Sequence, residues 1–314
     1  MSVSIPFAEI LKLDRLKHKA WRLLGPRLGV LHQYTPRPLL QITDKENWEA
    51  FDIDAAPRVS LVTPSFRQGH YLGETIRSVL GQNYHNLEYF IEDGGSDDNT
   101  LEVLKTYESQ LSGWISEPDK GQSHAINKGF KRTSGDLMGW LNSDDLLLPG
   151  AIETVVRYFA DHPEVDVVYG NRIIVDENGF EIGRWIMPGH DSSILSWADY
   201  VPQETLFWRR EIWEKVGGQI DESFRFAMDW DLLVRFRDAG AKFAHIPRFM
   251  GAFRIHQQQK TSAEISEIGF QEMNRIRQRI HGHVPTQQQI HKAMVPFLLK
   301  HIWVDLKWRI FRGA

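Results

Sequence analysis

Short apolar segments alternate with segments of helical periodicity over the central part of the chain. In the helical segments apolar side chains recur every three or four positions, whereas the apolar segments are short and end in polar, Gly or Pro residues. Strands that alternate with helices predict a parallel, doubly wound sheet of the α/β class. The predicted strands cover residues 59–62, 87–91, 114–115 and 137–141, and the predicted helices cover residues 71–80, 99–107 and 123–131.

The pattern continues beyond residue 150 and adds one hairpin. The segment from Asp176 to Gly179 lies between two apolar arms within residues 171–187 and is typical of a hairpin turn. The remaining predicted strands are residues 165–169, residues 201–208 and two short strands within 242–256. The remaining predicted helices are residues 152–159, residues 211–216 and a run from about Asp229 to Gly240.

Both ends of the chain differ from this central region, because each combines apolar residues at helical spacing with lysines and arginines. Residues 1–31 predict an amphipathic helix that binds a membrane surface or a partner, or that packs on its own domain. In the tail from Pro285, Trp303 and Trp308 lie beside lysines and arginines, a combination typical of helices at a membrane interface. Alternatively, the tail forms a dimer helix or packs against residues 1–31. The expected units are an N-terminal extension and linker (1–55), a central domain (56–262) and a helical C-terminal extension (263–314).

Composition narrows the class of protein. The chain has 314 residues and a net charge of −4, which argues against a general nucleic-acid binder. It contains no cysteine, so disulfides, thiolate catalysis and cysteine-ligated zinc are excluded. No apolar run reaches the length of a membrane span, and the sequence does not begin with the pattern of a signal peptide. We therefore expect a cytoplasmic protein, with peripheral contact at the inner face of the membrane through its two ends.

The predicted strands end in polar residues, and in a parallel sheet those ends lie along one edge. The clearest case is residues 137–149, where an apolar run stops at Asn142-Ser143-Asp144-Asp145 before a second one begins. Two adjacent carboxylates repel each other, and a divalent cation that bridges a diphosphate would relieve the repulsion. The alternative is an Asp-Asp turn that caps the next helix.

A second acidic position lies later in the chain, where Asp229 and Asp231 precede an apolar helical run. One of the two is expected to be the helix N-cap. Asp229 is the candidate general base, because a helix N-terminus favours an ionised carboxylate. His256 and Lys260 follow the last predicted strand; they either contact a metal or diphosphate or are ordinary surface residues.

Taken in order, these motifs resemble the family 2 glycosyltransferases, an inverting, metal-dependent class with the GT-A fold. The resemblance covers roughly residues 57–260 and implies a mostly parallel, Rossmann-like sheet. It rests on residues 59–66, 78–82, 92–98, 119–122, 125–129, 142–145 and 229–231.

The resemblance implies a role for several of these residues in binding a nucleotide sugar. Pro64 and Phe66 would border the nucleotide base, Asp93 would hold the base, and Asp144 would bind the ribose or the donor sugar. Three further positions in the matching motifs, Gly121, Gln122 and Asn127, are expected to contact the donor.

The resemblance also implies a metal and a base. Asp145, with His256, would coordinate Mg²⁺ or Mn²⁺ on the diphosphate, and Asp229 would be the catalytic base. The usual metal motif of this class is Asp-x-Asp, and its first position here is Ser143. Metal coordination is therefore expected to depend mainly on Asp145.

The activity implied is transfer of a single sugar from a nucleoside diphosphate sugar to a hydroxyl of a carbohydrate or lipid-linked acceptor, in cell-surface polysaccharide or glycolipid synthesis. The Gln-x-x-Arg-Trp motif of processive synthases is missing, so we expect single additions. Gly-x-Gly-x-x-Gly and P-loop motifs are also missing, which disfavours hydride transfer and P-loop phosphoryl transfer. One alternative is a sugar nucleotidyltransferase, which would require a Gly-rich loop with Arg and Lys after the first strand, where this chain has Pro64-Ser65-Phe66-Arg67-Gln68-Gly69. The other is an inactive nucleotide-sugar-binding module.

Overall fold

The computed structural model describes residues 29–40, 56–256 and 268–312. The helix predicted within residues 1–31 falls outside the described residues except for its last three positions, and so does Lys260. The predicted boundaries of the central domain and of the two extensions stay predictions.

Nine strands and nine α-helices form the described part of the chain. The strands are β1 (Val59–Ser65), β2 (Leu87–Asp93), β3 (Gly113–Ser116), β4 (Leu137–Trp140), β5 (Leu146–Leu147), β6 (Val167–Val175), β7 (Glu181–Trp185), β8 (Phe207–Arg209) and β9 (Phe243–Arg254). The helices are α1 (Gly69–Leu80), α2 (Thr100–Tyr107), α3 (Gln122–Phe130), α4 (Ala151–Asp161), α5 (Ser192–Leu195), α6 (Arg210–Lys215), α7 (Met228–Asp238), α8 (Phe270–His281) and α9 (Gln287–Arg312).

The strands form one sheet in the order β3-β2-β1-β4-β8-β6-β9-β5, with β7 beside β6. Strands β1 to β4 pair in parallel, and β8 joins β4 and β6 in antiparallel fashion, so that β6 and its parallel partner β9 run the same way as β1. Only β5, β7 and β8 among these strands run in the opposite direction. The predicted α/β class and the mostly parallel sheet are therefore confirmed.

Helices cover both faces of the sheet, because successive side chains of a strand point to opposite sides. On β1, Val62 packs in one apolar cluster with Ile126 of α3, whereas Leu61 packs in another with Ile76 of α1. The predicted helices α1, α3 and α4 lie where the periodicity placed them, within two residues at each end.

The predicted end of the first strand at Pro64 was too early, since β1 continues through Pro64 to Ser65. The backbone carbonyl of Val62 accepts a hydrogen bond from Leu141 N on the β4 side. Backbone polar groups of a strand face alternate sides, so those of Pro64, two residues later, also face β4. The β4 pairing stops at Val62, opposite Trp140. Pro64 therefore stands where no ladder hydrogen bond is needed from its missing N–H.

Two further predictions need correction. Residues 201–208 form a 3₁₀ turn, Gln203–Thr205, and the short strand β8 rather than one strand. The two short strands predicted within 242–256 are the single strand β9. The register of β6 and β9 shifts between Tyr169–His245 and Asn171–Phe249, so Pro247 lies in a bulge, which a strand tolerates without breaking.

The described N-terminal segment, residues 29–40, pairs with the outer edge of β7. Gln33 N donates to Ile182 O at 2.8 Å, and Arg37 and Glu181 exchange two backbone hydrogen bonds. The buried Glu181 carboxylate accepts hydrogen bonds from Arg37, from Arg184 and from the Tyr34 hydroxyl. The linker is thus anchored to the sheet by a buried carboxylate.

The Glu181 network predicts a large loss of stability in Glu181→Ala. The substitution leaves Arg184, which is 8% exposed, as a buried cation without its carboxylate. Removing one partner of a buried ion pair costs about 3–5 kcal/mol, and denaturant unfolding should show a loss of this size. Glu153→Ala is the control, because Glu153 and Arg157 form a pair one helical turn apart in which Glu153 is half-exposed. Such exposed pairs contribute less than about 1 kcal/mol, so equal losses in the two variants would contradict the assignment.

Candidate active site

The ends of β2 and β3 meet at Asp93. Its carboxylate is buried and accepts hydrogen bonds from Ser96 Oγ at 2.5 Å, Ser96 N at 2.9 Å and Ser116 Oγ at 2.6 Å. These bonds join β3 to the loop after β2. They also occupy both carboxylate oxygens of the residue predicted to hold the nucleotide base, a role that stays a prediction.

Phe66 and Asp119 stand over the neighbouring Gly94. A methyl group built on Gly94 would lie 2.9 Å from Asp119 Oδ2 and 3.2 Å from Phe66 Cδ2, so a larger residue there would displace one of these side chains. The Phe66 ring is 54% exposed, directly after the buried Pro64 and Ser65 at the end of β1. An exposed aromatic ring and a carboxylate thus share the rim of the sheet.

The start of α3 brings two of the predicted residues to this rim. Gly121 has φ of 113°, which favours glycine, and its N–H donates to Asp119 Oδ1 at 2.6 Å. A methyl group at Gly121 would meet nothing within 4 Å, so the conformation and not the space requires glycine. Gln122 Nε2 donates to Asn142 Oδ1 at 2.7 Å and connects this turn to the end of β4.

Asn127 lies one turn further along α3 and makes different contacts. It is 4% exposed, donates to Ile220 O and to Glu222 Oε1, and accepts from Ile220 N at 2.7 Å. Its amide thus holds the loop before α7. Contact of Asn127 with a donor stays a prediction.

Two residues fix the Asn142-Ser143-Asp144-Asp145 turn in place. Thr75 Oγ1 of α1 donates to the carbonyls of Ser143 and Asp145, and Ser143 is buried. Arg254 donates through Nε to Asp144 O at 2.9 Å and through its backbone N–H to Asp145 Oδ1 at 3.0 Å. The turn is therefore held from both sides, by α1 and by the end of β9.

The two aspartates of this turn have different surroundings. Asp144 Oδ2 lies 2.9 Å from His256 Nε2, and the Asp144 side chain is 15% exposed. Asp145 is 1% exposed and accepts from Arg254 N and Asn142 Nδ2. Burial, and then the negative charges of Asp144 and Glu204, raise the pKa of Asp145 well above its ordinary value. Burial and the neighbouring carboxylates therefore oppose a negative charge on Asp145.

A divalent cation at this turn was predicted to bind Asp145 and His256. Within residues 29–40, 56–256 and 268–312, no three His, Asp or Glu side chains are arranged as a ready metal site. His256 contacts Asp144 rather than Asp145 in this structure. A Mg²⁺ site needs only one or two carboxylates when substrate phosphates and water complete it, and the excess negative charge fits such a cation.

Arg172 is the buried cation behind the turn. Its Nε donates to Glu204 Oε1 at 2.6 Å and its Nη2 to Glu204 Oε2, while its guanidinium lies over the rings of Trp185 and Phe253. Burial opposes this charge, but Glu204 raises the pKa of Arg172 overall. The charge of Arg172 also lowers the pKa values of Asp145 and Asp199, so it acts on both sides of the site.

Asp229 lies in the first turn of α7, as predicted, but neither Asp229 nor Asp231 is the helix cap. Glu272 of α8 accepts hydrogen bonds from the backbone N–H groups of residues 225–227, which lead into the helix. Asp231 is buried and binds Arg235 and Arg279. The N-cap prediction was wrong because the helix begins at Met228, so both aspartates lie inside its first turn.

Asp199 is the partner of Asp229 that the sequence did not reveal. Asp199 is exposed to solvent, and its Oδ1 accepts a hydrogen bond from Val201 N. The surrounding protein, and then the negative charge of Asp229, raise the pKa of Asp199 above its ordinary value. Trp230 Nε1 donates to Leu195 O at 2.8 Å and holds this segment against α7.

These contacts connect residues that are distant in sequence. The hydrogen bond between Gln122 and Asn142 connects the start of α3 to the acidic turn. The charge of Arg172 acts on both Asp145 and Asp199, and Asp199 interacts electrostatically with Asp229. Sequence reasoning missed Arg172, Glu204, Asp199 and the role of Arg254. Arg172, Glu204 and Asp199 do not lie at a predicted strand end or helix start, and an Arg and a Glu inside apolar, strand-like segments were the only available signal. Arg254 lies at the end of the last predicted strand, but its position alone does not indicate its contacts with the acidic turn.

The chain belongs to glycosyltransferase family 2. The model of that family, "Glycosyl transferase family 2", matches residues 60–226, which is more than half of the chain. An uncharacterized glycosyltransferase of Mycobacterium tuberculosis is 31% identical over 186 residues, which cover 58% of this chain and 69% of that protein. The hyaluronan synthase of Pasteurella multocida is 29% identical over 244 residues, 77% of this chain but 24% of the synthase.

A solved structure supports the fold. The mannosyltransferase PcManGT from Pyrobaculum calidifontis, determined with GDP-Man and Mn²⁺, aligns with a TM-score of 0.56 and 18% identity. The alignment covers 95% of this chain and 82% of that one. This likeness confirms the predicted GT-A fold.

The position of Arg172 predicts a pH-dependent loss of stability in Arg172→Met. Because burial and neighbouring charge raise the pKa values of Asp145 and Asp199, the stability that they contribute is present below the ordinary aspartate pKa. It is lost as the pH rises through the higher pKa values of the folded protein, and removal of Arg172 should enlarge that loss. In the presence of EDTA, we expect the melting temperature of the variant to approach that of the wild type near about pH 5 and to fall well below it near about pH 8.

Arg157→Met is the control for this measurement, since Arg157 pairs with the half-exposed Glu153 on α4. Its melting temperature should follow the wild-type pH dependence. A constant difference between Arg172→Met and the wild type at all pH values would contradict the role given to Arg172.

Proposed function

We propose that the protein transfers a single sugar from a nucleoside diphosphate sugar to an acceptor hydroxyl with inversion, and that Asp229 is the catalytic base. The observation that carries this proposal is the position of Asp229. It lies in the first turn of α7, its negative charge acts on Asp199, and the charge of Arg172 acts on both Asp199 and Asp145. This coupling supports one site in which the Asp144–Asp145 turn binds the donor and Asp229 activates the acceptor.

The donor nucleotide would bind along the rim formed by the ends of β1, β2 and β3. The exposed Phe66 ring offers a face to a base, and Asp119 and the amides after β2 lie beside it. Base–aromatic stacking tolerates any base, so the ring fits a uracil or a guanine equally. Gln122 and Asp144 lie further along the same rim, where the ribose and diphosphate would follow.

Asp144, Asp145 and His256 would hold Mg²⁺ or Mn²⁺ on the donor diphosphate. The contact of Asp144 with His256, and the adjacent Asp145 carboxylate, whose ionisation a bound cation would favour, support this assignment. When bound, such a cation would neutralise the negative charge that develops on the leaving diphosphate. The solved structure of the mannosyltransferase with GDP-Man and Mn²⁺ supports a divalent cation.

Asp229 would accept the proton of the acceptor hydroxyl while that oxygen attacks the anomeric carbon. The C–O bond to the diphosphate breaks on the opposite face of the sugar, so the configuration inverts. A base in this position contributes about 10²–10⁴ to the rate. Asp199 and Asp229 interact as like charges, so each disfavours the ionised form of the other.

The acceptor would be a carbohydrate or a lipid-linked sugar in cell-surface polysaccharide or glycolipid synthesis. The likeness to a hyaluronan synthase supports a polysaccharide product. Single additions are proposed because the Gln-x-x-Arg-Trp motif of processive synthases is missing. An inactive nucleotide-sugar-binding module is the second candidate, favoured by Ser143, which is buried and points its carbonyl at Thr75.

Asp229→Asn tests the assignment of the base. The amide cannot accept the hydroxyl proton, so transfer should fall by about 10²-fold or more, while donor binding stays within a factor of about two because Asp229 is assigned to the acceptor and not to the donor. Transfer is measured by release of nucleoside diphosphate and donor binding by calorimetry, with a panel of nucleotide sugars and Mn²⁺.

Asp238→Asn is the matched control, since Asp238 is exposed near the other end of α7 and pairs with Arg237. It should leave both quantities unchanged. Normal transfer by Asp229→Asn would remove Asp229 as the base, and no donor turnover by the wild type with any nucleotide sugar would favour the inactive module.

Asp199→Asn tests the carboxylate pair through the pH dependence of the reaction. The variant lacks a negative charge beside Asp229, so Asp229 should lose its proton at a lower pH. We expect the acid limb of kcat/KM against pH to move to lower pH, with donor binding unchanged. An acid limb that stays in place, in a variant that folds and binds donor normally, would show that the two carboxylates do not titrate together.

A further inference from the structure

Helix α9 is apolar on two sides, and only one side packs against the protein. On the inner side, Met294 and Phe297 are buried in the main apolar cluster, and the Phe297 ring lies 4.6 Å from the Tyr200 ring. Trp308 contacts Phe249 of β9 at 5.6 Å between ring centroids. The inner side therefore accounts for the docking of α9, but it leaves the apolar residues of the outer side unexplained.

The outer side carries a continuous apolar row, here termed the outer stripe. Its members are Leu299, 61% exposed, Trp303, 61%, Leu306, 38%, and Ile310, 66%. Intervals of four, three and four residues place them on one face of the helix. With the neighbouring Phe311, they make up five of the eight large hydrophobic residues that are exposed in the described part of the chain. Exposed apolar residues grouped in this way indicate an interaction surface.

The charge beside the outer stripe is positive. Lys300 and Lys307 are exposed, and Lys307 Nζ lies 5.2 Å from the centre of the Trp303 ring. Asp305, which is the one acidic residue in the sequence of α9, is buried and bonded to Arg309. The chain as a whole has a net charge of −4. The positive charge of this helix is therefore a local property of the surface around the outer stripe.

Charge complementarity separates the three candidate occupants of the stripe. A second copy of α9 would bring Lys300 and Lys307 against the same residues without an acidic partner. Residues 1–28 are also basic, with six Lys or Arg residues against Glu9 and Asp14. An anionic bilayer offers both the negative charge and the apolar depth that this surface matches, and Trp beside Lys is the pair found at such interfaces.

We propose that the outer stripe of α9 binds the surface of an anionic lipid bilayer, with Leu299, Trp303, Leu306 and Ile310 among the acyl chains and Lys300 and Lys307 at the headgroups. No helix in the described part of the chain is long and apolar enough to cross a bilayer. The mode of binding is therefore that of an amphipathic helix lying in the interface.

Membrane binding at α9 would also bring the bilayer near the acceptor side of the candidate site. Phe297 of α9 packs on Tyr200, which follows Asp199 in the chain. A helix is about 10 Å across, so the lipid surface would lie close to the segment that holds Asp199. A lipid-linked acceptor would then reach Asp229 from that side; this step rests on the proposed function, whereas membrane binding itself does not.

Vesicle co-sedimentation of the full chain, without nucleotide sugar, tests the proposal. Wild-type protein should bind vesicles of phosphatidylglycerol and phosphatidylcholine and should bind pure phosphatidylcholine far more weakly. The triple variant Leu299→Gln, Trp303→Gln, Ile310→Gln should lose binding by about tenfold or more, because each change removes apolar area from the lipid. Lys300→Gln with Lys307→Gln should weaken binding to the anionic vesicles only, and added salt should weaken wild-type binding.

Phe180→Gln is the control, since Phe180 is an exposed aromatic residue, 45% exposed, at the β6–β7 turn. It should bind as the wild type does, and circular dichroism should show that all variants are folded. Unchanged binding by the triple variant would overturn the proposal. A wild-type dimer in sedimentation that the triple variant abolishes would also overturn it, because a second copy would then cover the outer stripe. Cross-links from Lys307 to Lys12 or Lys17 of the same chain that persist on vesicles would overturn it as well, because residues 1–28 would then cover the stripe. Because no sugar transfer is measured, failure of the proposed reaction would leave this result unaffected.

Discussion

Arg172 is the cation on which the arrangement of the acidic site depends. Its guanidinium is held by Glu204 and lies between two aromatic rings, so it cannot move away from the carboxylates around it. Asp145 and Asp199 both carry raised pKa values that Arg172 partly lowers. Without this buried charge, the repulsion among the carboxylates would oppose folding at neutral pH. Arg172 therefore favours the ionised forms of both aspartates, and Asp199 in turn interacts with Asp229.

The parts of this site that the sequence predicts are those created by the sheet itself. Parallel strands end at one edge, so Asp93 and the Asp144–Asp145 turn had to lie on the same rim once the alternation of strands and helices was recognised. The start of α7 at Asp229 and the start of α3 at Gly121 are equally local features, marked by where helical periodicity begins. The GT-A fold, the strand ends and the family were predictable for this reason.

The parts that were not predictable depend on contacts between distant segments. Glu272 of α8 binds the backbone segment that leads into α7, and both Asp229 and Asp231 lie inside the first turn of that helix. Asn127 is used to hold the loop at Ile220. Asp199 becomes a partner of Asp229 only because Trp230 binds the segment before it. Each of these contacts follows from tertiary packing, and no spacing along the chain encodes it. The positions of Pro64 and Pro247 also depend on tertiary pairing. Local rules predict that a strand ends at each proline, but Pro64 lies where β1 has no partner on that side and Pro247 lies in a bulge of β9.

The central claim is that the turn after β4, together with the end of β9, binds the donor diphosphate on the rim that also holds the base. A crystal structure of the protein with a nucleoside diphosphate and Mn²⁺, with anomalous data at the manganese edge, tests this claim most directly. The account predicts a manganese peak within about 2.0–2.6 Å of an Asp144 or Asp145 oxygen, with the diphosphate on it and the base against Phe66. A nucleotide bound elsewhere, or a manganese peak away from both aspartates, would contradict the account.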